Sequence, residues 1–249
     1  MSDTIVILTG ASRGLGAAFA MALCEPGTTL VTLARHTNPA LAAHAASRGT
    51  TLQQHQVDLS DPHVSVLAVE QIFASLPRGA AHYRLINNAG TVDPISSAVK
   101  LDPIDIVKAL NLNVGVLMLL TSRFLEATAG LAADRRILNI SSGAGRKPVA
   151  GWSVYCATKA AVDMFSRTVK LEQTDSGLRI ASLAPGVIDT AMQGQIRNSD
   201  SDDFPALENF QSLHASGQLA APADVAGRIL AYLERDDFGN TEIDDIRNY

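Results

Sequence analysis

Tyr155 and Lys159 stand four residues apart inside Ser153-Val154-Tyr155-Cys156-Ala157-Thr158-Lys159, a helix-like segment. At that spacing the two side chains lie on one helical face. An ammonium beside a phenol favours phenolate, so a group with a free pKa of about 10 is drawn toward neutrality. Such a group can donate or accept the proton in carbonyl chemistry. The pattern alone recurs in long helices. Its weight comes from Ser142, thirteen positions earlier, and from a glycine-rich turn near the N-terminus.

That turn is Thr9-Gly10-Ala11-Ser12-Arg13-Gly14-Leu15-Gly16. A β-branched apolar run from Thr4 ends at Thr9, and a helical pattern opens near Gly14. Strand, glycine turn and helix in that order suit a pyrophosphate. Glycines permit positive φ and close approach, and a helix N-terminus directs N–H groups at an anion. A tight strand-to-helix turn without a ligand is the plain alternative.

The elements that must position these residues alternate. Helical segments are expected over about 14–24, 38–48, from Ser60-Asp61-Pro62 to Leu76, 102–128, 153–174 and from Pro222. Strands are expected over 4–9, 28–34, 50–57, 83–88, 135–141, 178–184 and, briefly, 241–246. Strands alternating with helices argue an α/β fold with a parallel sheet covered on both faces. Ligand groups then gather beyond the carboxyl ends of the strands. Gly10, Arg35, Asp58, Asn88, Ser142 and Pro185 all fall there, so one crevice can collect them.

A chain of 249 residues with 47% hydrophobic content can bury one substantial core. No linker, repeat or charge block divides it, and 1–249 reads as a single domain. A net charge of −5 offers no footprint for nucleic acid or an anionic membrane. No uninterrupted apolar run reaches the ~18 residues of a membrane span, and no signal peptide is legible. Two cysteines, Cys24 and Cys156, make no disulfide framework, so a cytoplasmic location is expected. The six histidines show no metal-ligand spacing, so no metal is expected.

The chain resembles the short-chain dehydrogenase/reductase family over nearly its whole length. The resemblance rests on Thr9-Gly10-x-x-x-Gly14-x-Gly16, Asn87-Asn88-Ala89-Gly90, Asn113, Ser142, Tyr155-x-x-x-Lys159 and Pro185-Gly186. Gly151-Trp152-Ser153-Val154-Tyr155-Cys156-Ala157 and Ala184 through Gln193 resemble the branch of sepiapterin and bacterial benzil reductases. The resemblance implies a Rossmann-type, doubly wound seven-stranded sheet in the order 3-2-1-4-5-6-7.

It also implies roles. Tyr155 protonates the carbonyl oxygen, Ser142 hydrogen-bonds it, Lys159 holds the nicotinamide ribose and acidifies the tyrosine, and Asn113 supports a water. Gly10, Ser12, Arg13, Gly14, Leu15, Gly16, Arg35, His36, Asp58, Leu59, Asn88, Ala89, Gly90, Pro185, Gly186, Ile188 and Thr190 join Tyr155 and Lys159 around the cofactor. NAD-using dinucleotide folds carry an acid at the end of the second strand. Here Leu33-Ala34-Arg35-His36 has none, and Arg13 lies on the same side. Two guanidinium groups suit a 2′-phosphate, so NADP(H) is the expected cofactor.

The substrate side would comprise Ser142, Gly143, Trp152, Tyr155, Gly186 and one C-terminal acid, Asp244 or Asp245. Neighbours on a strand face opposite ways, so only one serves, and Asp244 is preferred. Residues 191–220 read as a polar lid over a small-molecule carbonyl substrate, or as a plain surface loop. The expected activity is NADPH-dependent reduction of a ketone or vicinal diketone. A reductase for another carbonyl, such as a 3-oxoacyl thioester or sugar, and a non-catalytic NADP(H)-binding regulator are the alternatives. The family leads us to expect a homodimer or homotetramer.

Overall fold

The computed structural model describes residues 3–173 and 177–249. The chain begins with β1 (Thr4–Thr9), α1 (Gly14–Ala22), β2 (Thr28–Ala34), α2 (Pro39–Arg48) and β3 (Thr51–Gln56). It continues through α3 (Pro62–Ala74), β4 (His82–Asn87), α4 (Pro103–Leu110), α5 (Val116–Thr128) and β5 (Asp134–Ile140). The last part holds α6 (Ser153–Glu172), β6 (Leu178–Ala184), α7 (Ala191–Arg197), α8 (Leu207–Ala215), α9 (Pro222–Leu233) and β7 (Ile243–Asp245). All seven strands pair in parallel, in the order β3-β2-β1-β4-β5-β6-β7.

Side chains alternate along β1, and each set builds one layer. Val6 and Leu8 pack with Leu15 and Phe19 of α1, Leu41 of α2 and Val225 and Ile229 of α9. Ile5 and Ile7 pack on the other face with Val69 and Ile72 of α3, Leu120 and Phe124 of α5 and Val169 of α6. Both faces are covered, as a near-continuous apolar strand requires. Asn38, Asp61 and Asp102 each precede a proline and accept backbone N–H groups of the following turn, which starts α2, α3 and α4.

The stretch 102–128, expected as one helix, is interrupted. Residues Asn111–Gly115 form a π-helical turn between α4 and α5. Such bulges recur at functional sites, and this one carries the buried Asn113. By length and composition alone the run Pro103–Thr128 passes for a membrane span, with a mean hydropathy of 1.6. In the fold its apolar residues divide between the sheet-facing core and an outer face holding Ile104, Val107 and Leu110.

The segment 191–220 is not a plain loop: it holds α7 and α8, joined through 198–206. The expected end of α6, residue 174, lies outside the described residues.

Candidate active site

The strand ends open onto one cavity of about 880 Å³. At one end lies the β1–α1 turn. Gly10 and Gly14 take φ of +73° and +56°, a conformation that side chains resist. Gly16 has no room for a Cβ, which would lie 2.5 Å from Asn88 Nδ2 and closer still to the Gly10 carbonyl oxygen. Asn88 closes the turn, donating from Nδ2 to the Thr9 carbonyl at 3.0 Å. Thr9 Oγ1 in turn accepts the backbone N–H groups of Asn88 and Ala89 at 3.0 and 2.9 Å. No side chain caps α1, so its first N–H groups are left for an anion. This cradle fits a dinucleotide pyrophosphate.

At the adenosine end, Arg13, Arg35, Asp58 and Leu59 line the wall. Among the described residues neither guanidinium is in an ion pair. Asp58 is held below the usual carboxylate range, first by the Ser60 hydroxyl at 2.7 Å, with its backbone N–H and the nearby Arg35 charge assisting.

The middle of the cavity holds Ser142, Tyr155 and Lys159. Ser142 begins the short turn Gly143–Gly145 after β5, its hydroxyl accepts the Ala144 N–H at 3.2 Å, and it shares the cavity with the Tyr155 phenol. Lys159 Nζ lies 5.7 Å from the Tyr155 ring centroid and donates to the Ile140 carbonyl at 2.7 Å. The electrostatics differ from the expectation that the lysine acidifies the phenol. Burial pushes Tyr155 above its ordinary value, outweighing the opposing influence of the nearby Ser142 hydroxyl. The same burial brings Lys159 down to about 8, against the pull of Asp163. In this state the phenol keeps its proton, which is what a proton donor needs.

Asn113 lies behind this group. Its amide donates to the Thr91 carbonyl at 2.8 Å and to Thr158 Oγ1 at 3.1 Å, while its oxygen accepts the Thr91 N–H at 2.8 Å. Thr158 Oγ1 donates to the Tyr155 carbonyl, so the π turn buttresses the helix bearing the tyrosine.

The far wall is apolar. Trp152 meets Tyr155 edge-on at 5.4 Å, stacks on Phe204 at 4.9 Å and touches Phe210 at 5.3 Å. Phe204 and Phe210 come from the segment 191–220, which Gly151 admits by lacking a side chain where the Asp203 carbonyl passes. Met192 and Ile196 of α7 complete the wall.

Most residues read from the sequence converge here. Gly10, Ser12, Leu15, Gly16, Ala89, Gly90, Gly143, Pro185, Gly186, Ile188 and Thr190 all line the cavity. Gly14 sits at its edge, its Cβ position 3.2 Å from Thr190 Cγ2. His36 does not reach the wall; it is exposed beyond Arg35.

Asp244 requires correction. Its buried carboxylate accepts from Tyr232 Oη at 3.2 Å, Tyr249 Oη at 2.6 Å and Asn248 Nδ2 at 3.1 Å, away from the cavity. Of the two, Asp245 lines the wall, beside Arg247. Arg247 grips it from Nε at 2.8 Å and Nη2 at 2.6 Å. Sequence reasoning also missed Gln193, a buried wall residue whose amide has no partner. In the sequence it enters only as the last residue of the stretch that resembles the reductase branch, with no role of its own. Among the described residues, no cluster of three His, Cys, Asp or Glu side chains is placed to hold a metal.

A nucleotide-cradling turn at one end of a parallel sheet and a Ser–Tyr–Lys group at its centre define a nicotinamide-dependent oxidoreductase. The chain belongs to the short chain dehydrogenase family, whose model matches residues 4–201. It is 38% identical to a benzil reductase ((S)-benzoin forming) of Bacillus cereus, over 96% of this chain and 97% of that protein. A sepiapterin reductase of Meriones unguiculatus is 33% identical, over 94% and 92% respectively. A short-chain dehydrogenase from Sphingobium yanoikuyae in complex with NADPH superposes with a TM-score of 0.75 at 27% identity. That likeness covers 96% of this chain and 87% of the other. The family binds a nicotinamide cofactor and acts on CH–OH and C=O groups.

Proposed function

We propose that this protein is an NADPH-dependent carbonyl reductase acting on an aromatic ketone or vicinal diketone. The observation that carries the proposal is the gathering of Ser142, Tyr155 and Lys159 in one cavity, between the glycine cradle and the Trp152–Phe210 wall. When bound, the reduced nicotinamide supplies hydride to the carbonyl carbon. Ser142 steadies the oxygen as charge develops on it, and Tyr155 delivers the proton, leaving an alcohol. Lys159 supports the ribose and balances the charge left on the phenol. Arg13 and Arg35 take the 2′-phosphate, which favours NADPH over NADH.

Between the substrates named for the two relatives, the diketone fits better. An aryl ring finds Trp152, Phe210, Met192 and Ile196 on the wall. A pterin amino group would have to share the carboxylate of Asp245 with Arg247, which already donates to both of its oxygens. The exposed Ile104, Val107 and Leu110 of α4, with Met164 and Leu171 of α6, support pairing of two copies through these helices.

The test follows NADPH absorbance with benzil, sepiapterin and an acetoacetyl thioester, and repeats the best substrate with NADH. The expected result is turnover of the diketone to a hydroxy ketone, with NADPH preferred at least tenfold. Faster use of the thioester, or equal use of NADH, overturns the corresponding part. Tyr155→Phe should cut turnover by about 10²–10⁴-fold with cofactor binding retained.

A further inference from the structure

Lys159 is buried, and the carboxylate opposing its loss of charge is Asp163, one helical turn further along α6. Asp163 is itself only 4% exposed. Its Oδ1 accepts the Ser182 hydroxyl of β6 at 2.6 Å, and its Oδ2 lies 3.3 Å from Arg146 Nε. Arg146 is brought there by the turn after β5. Gly145 packs so tightly on the Lys159 backbone that a Cβ would lie 2.8 Å from the Lys159 carbonyl carbon. Arg146 Nη2 donates onward to the Asp244 carbonyl at 2.8 Å, tying the group to the C-terminal wall.

We infer that Asp163 is a positioning residue for the reaction: held between Ser182 and Arg146, its carboxylate sets how readily Lys159 carries its proton, with Arg146 as the opposing charge. The inference rests on Lys159 being the lysine of the reductive site.

The other titratable groups around the lysine do not take this role. Tyr155 keeps its proton, and burial drives it further that way. Cys156 lies on the far side of the tyrosine, its thiol turned to the Lys147 carbonyl. Asp244 is turned to Tyr232 and Tyr249, and Asp245 to Arg247. From β4, the loop beyond Asn88 and the π turn present neutral Gly90 and Asn113. Asp163 is therefore the counter-charge on the helix, and its strength depends on how far Arg146 offsets it. A lysine without it would lose its proton nearer neutrality, and with it the charge that supports ribose and phenol.

The chain has five lysines, Lys100, Lys108, Lys147, Lys159 and Lys170. Each can be followed by NMR of ¹³C-labelled lysine side chains in the cofactor-free protein, with Lys159→Arg identifying the resonance. The wild-type Lys159 should titrate at about 8, well below the ordinary 10.5 of a lysine. Asp163→Asn, which is isosteric, should lower its midpoint further by roughly one unit. Arg146→Met should raise it. The basic limb of the reductive pH–rate profile should move in the same two directions. An unchanged or raised midpoint in Asp163→Asn overturns the inference. Should that variant not fold, a lowered or unmoved midpoint in Arg146→Met overturns it instead. The titration involves no turnover, so it fails or succeeds separately from the proposed activity.

Discussion

Gly16→Ala places one methyl group where the β1–α1 turn is tightest. The added carbon would stand 2.8 Å from the Gly10 carbonyl carbon and 2.5 Å from Asn88 Nδ2. Carbon atoms rest comfortably at about 3.5 Å, so that contact alone asks the turn to open by about 0.7 Å, and the nearer Gly10 carbonyl oxygen asks for more. Neither neighbour can swing away, since one is backbone and the other holds the Thr9 carbonyl. Overpacking of this kind costs about 1–3 kcal/mol, and the better helix propensity of alanine returns up to about 1 kcal/mol. The melting temperature should fall by about 2–8 °C for a domain of this size. Affinity for the reduced cofactor should suffer more. A misplacement approaching 1 Å can cost 10²-fold where geometry decides, so the dissociation constant should rise by roughly 10–100-fold.

The control is Gly227→Ala in α9, where an added Cβ meets nothing within 4 Å. Helix propensity alone should then raise the melting temperature by a few degrees, leaving cofactor affinity unchanged. Differential scanning calorimetry and a fluorescence titration of NADPH read both quantities. Binding by Gly16→Ala within twofold of wild type would refute the account of the turn as a close-approach cradle.

What the sequence made legible was local. Gly10, Gly14 and Gly16 are read from spacing, because a turn's chemistry is set by the residues in it. Tyr155 and Lys159 are read likewise, because helical periodicity fixes their shared face. The apolar strands and the Asp61-Pro62 helix start were readable for the same reason. Strand order came only from resemblance. Features set by distant packing were hidden. The π turn at Asn113 leaves the apolar pattern of 102–128 intact, so the run reads as one helix. Which of Asp244 and Asp245 faces the cavity depends on the register of β7 against β6, where Leu183 pairs with Asp244 and Ala184 with Asp245. That choice is locked by Tyr232 and Tyr249, whose hydroxyls no spacing rule announces. The expected acidification of Tyr155 counted the neighbouring charge and missed the burial. Desolvation is a property of the whole wall, from Trp152 to the lid, and has no local signature.

Four further outcomes follow from the same contacts. Asp244→Asn should destabilise the fold by about 1–3 kcal/mol with little change in kcat, whereas Asp245→Asn should keep its melting temperature and alter the substrate KM. Phe210→Ala, which removes a half-buried ring of the lid, should raise KM for an aromatic diketone by about tenfold and leave a small aliphatic ketone unaffected. Arg35→Asp should lower the NADPH-to-NADH ratio of kcat/KM by at least about tenfold. The last concerns stability against pH. Lys159 titrates at about 8 in the folded protein and near its ordinary 10.5 when unfolded. Between those values the unfolded chain holds more protons, so this lysine's contribution to stability grows as pH rises and is lost as pH falls through about 8. Tyr155 works the other way, because its folded value lies above the ordinary 10.0. Its contribution is complete below pH 10 and is lost only above it, so the window from 8 to 9.5 belongs to the lysine. Urea unfolding of wild type and Lys159→Met across that window should show the stability difference moving in favour of wild type, by at most about 1.4 kcal/mol per pH unit. A difference that stays flat or falls would mean that Lys159 keeps its charge in the folded state, and that the burial ascribed to it is relieved by solvent.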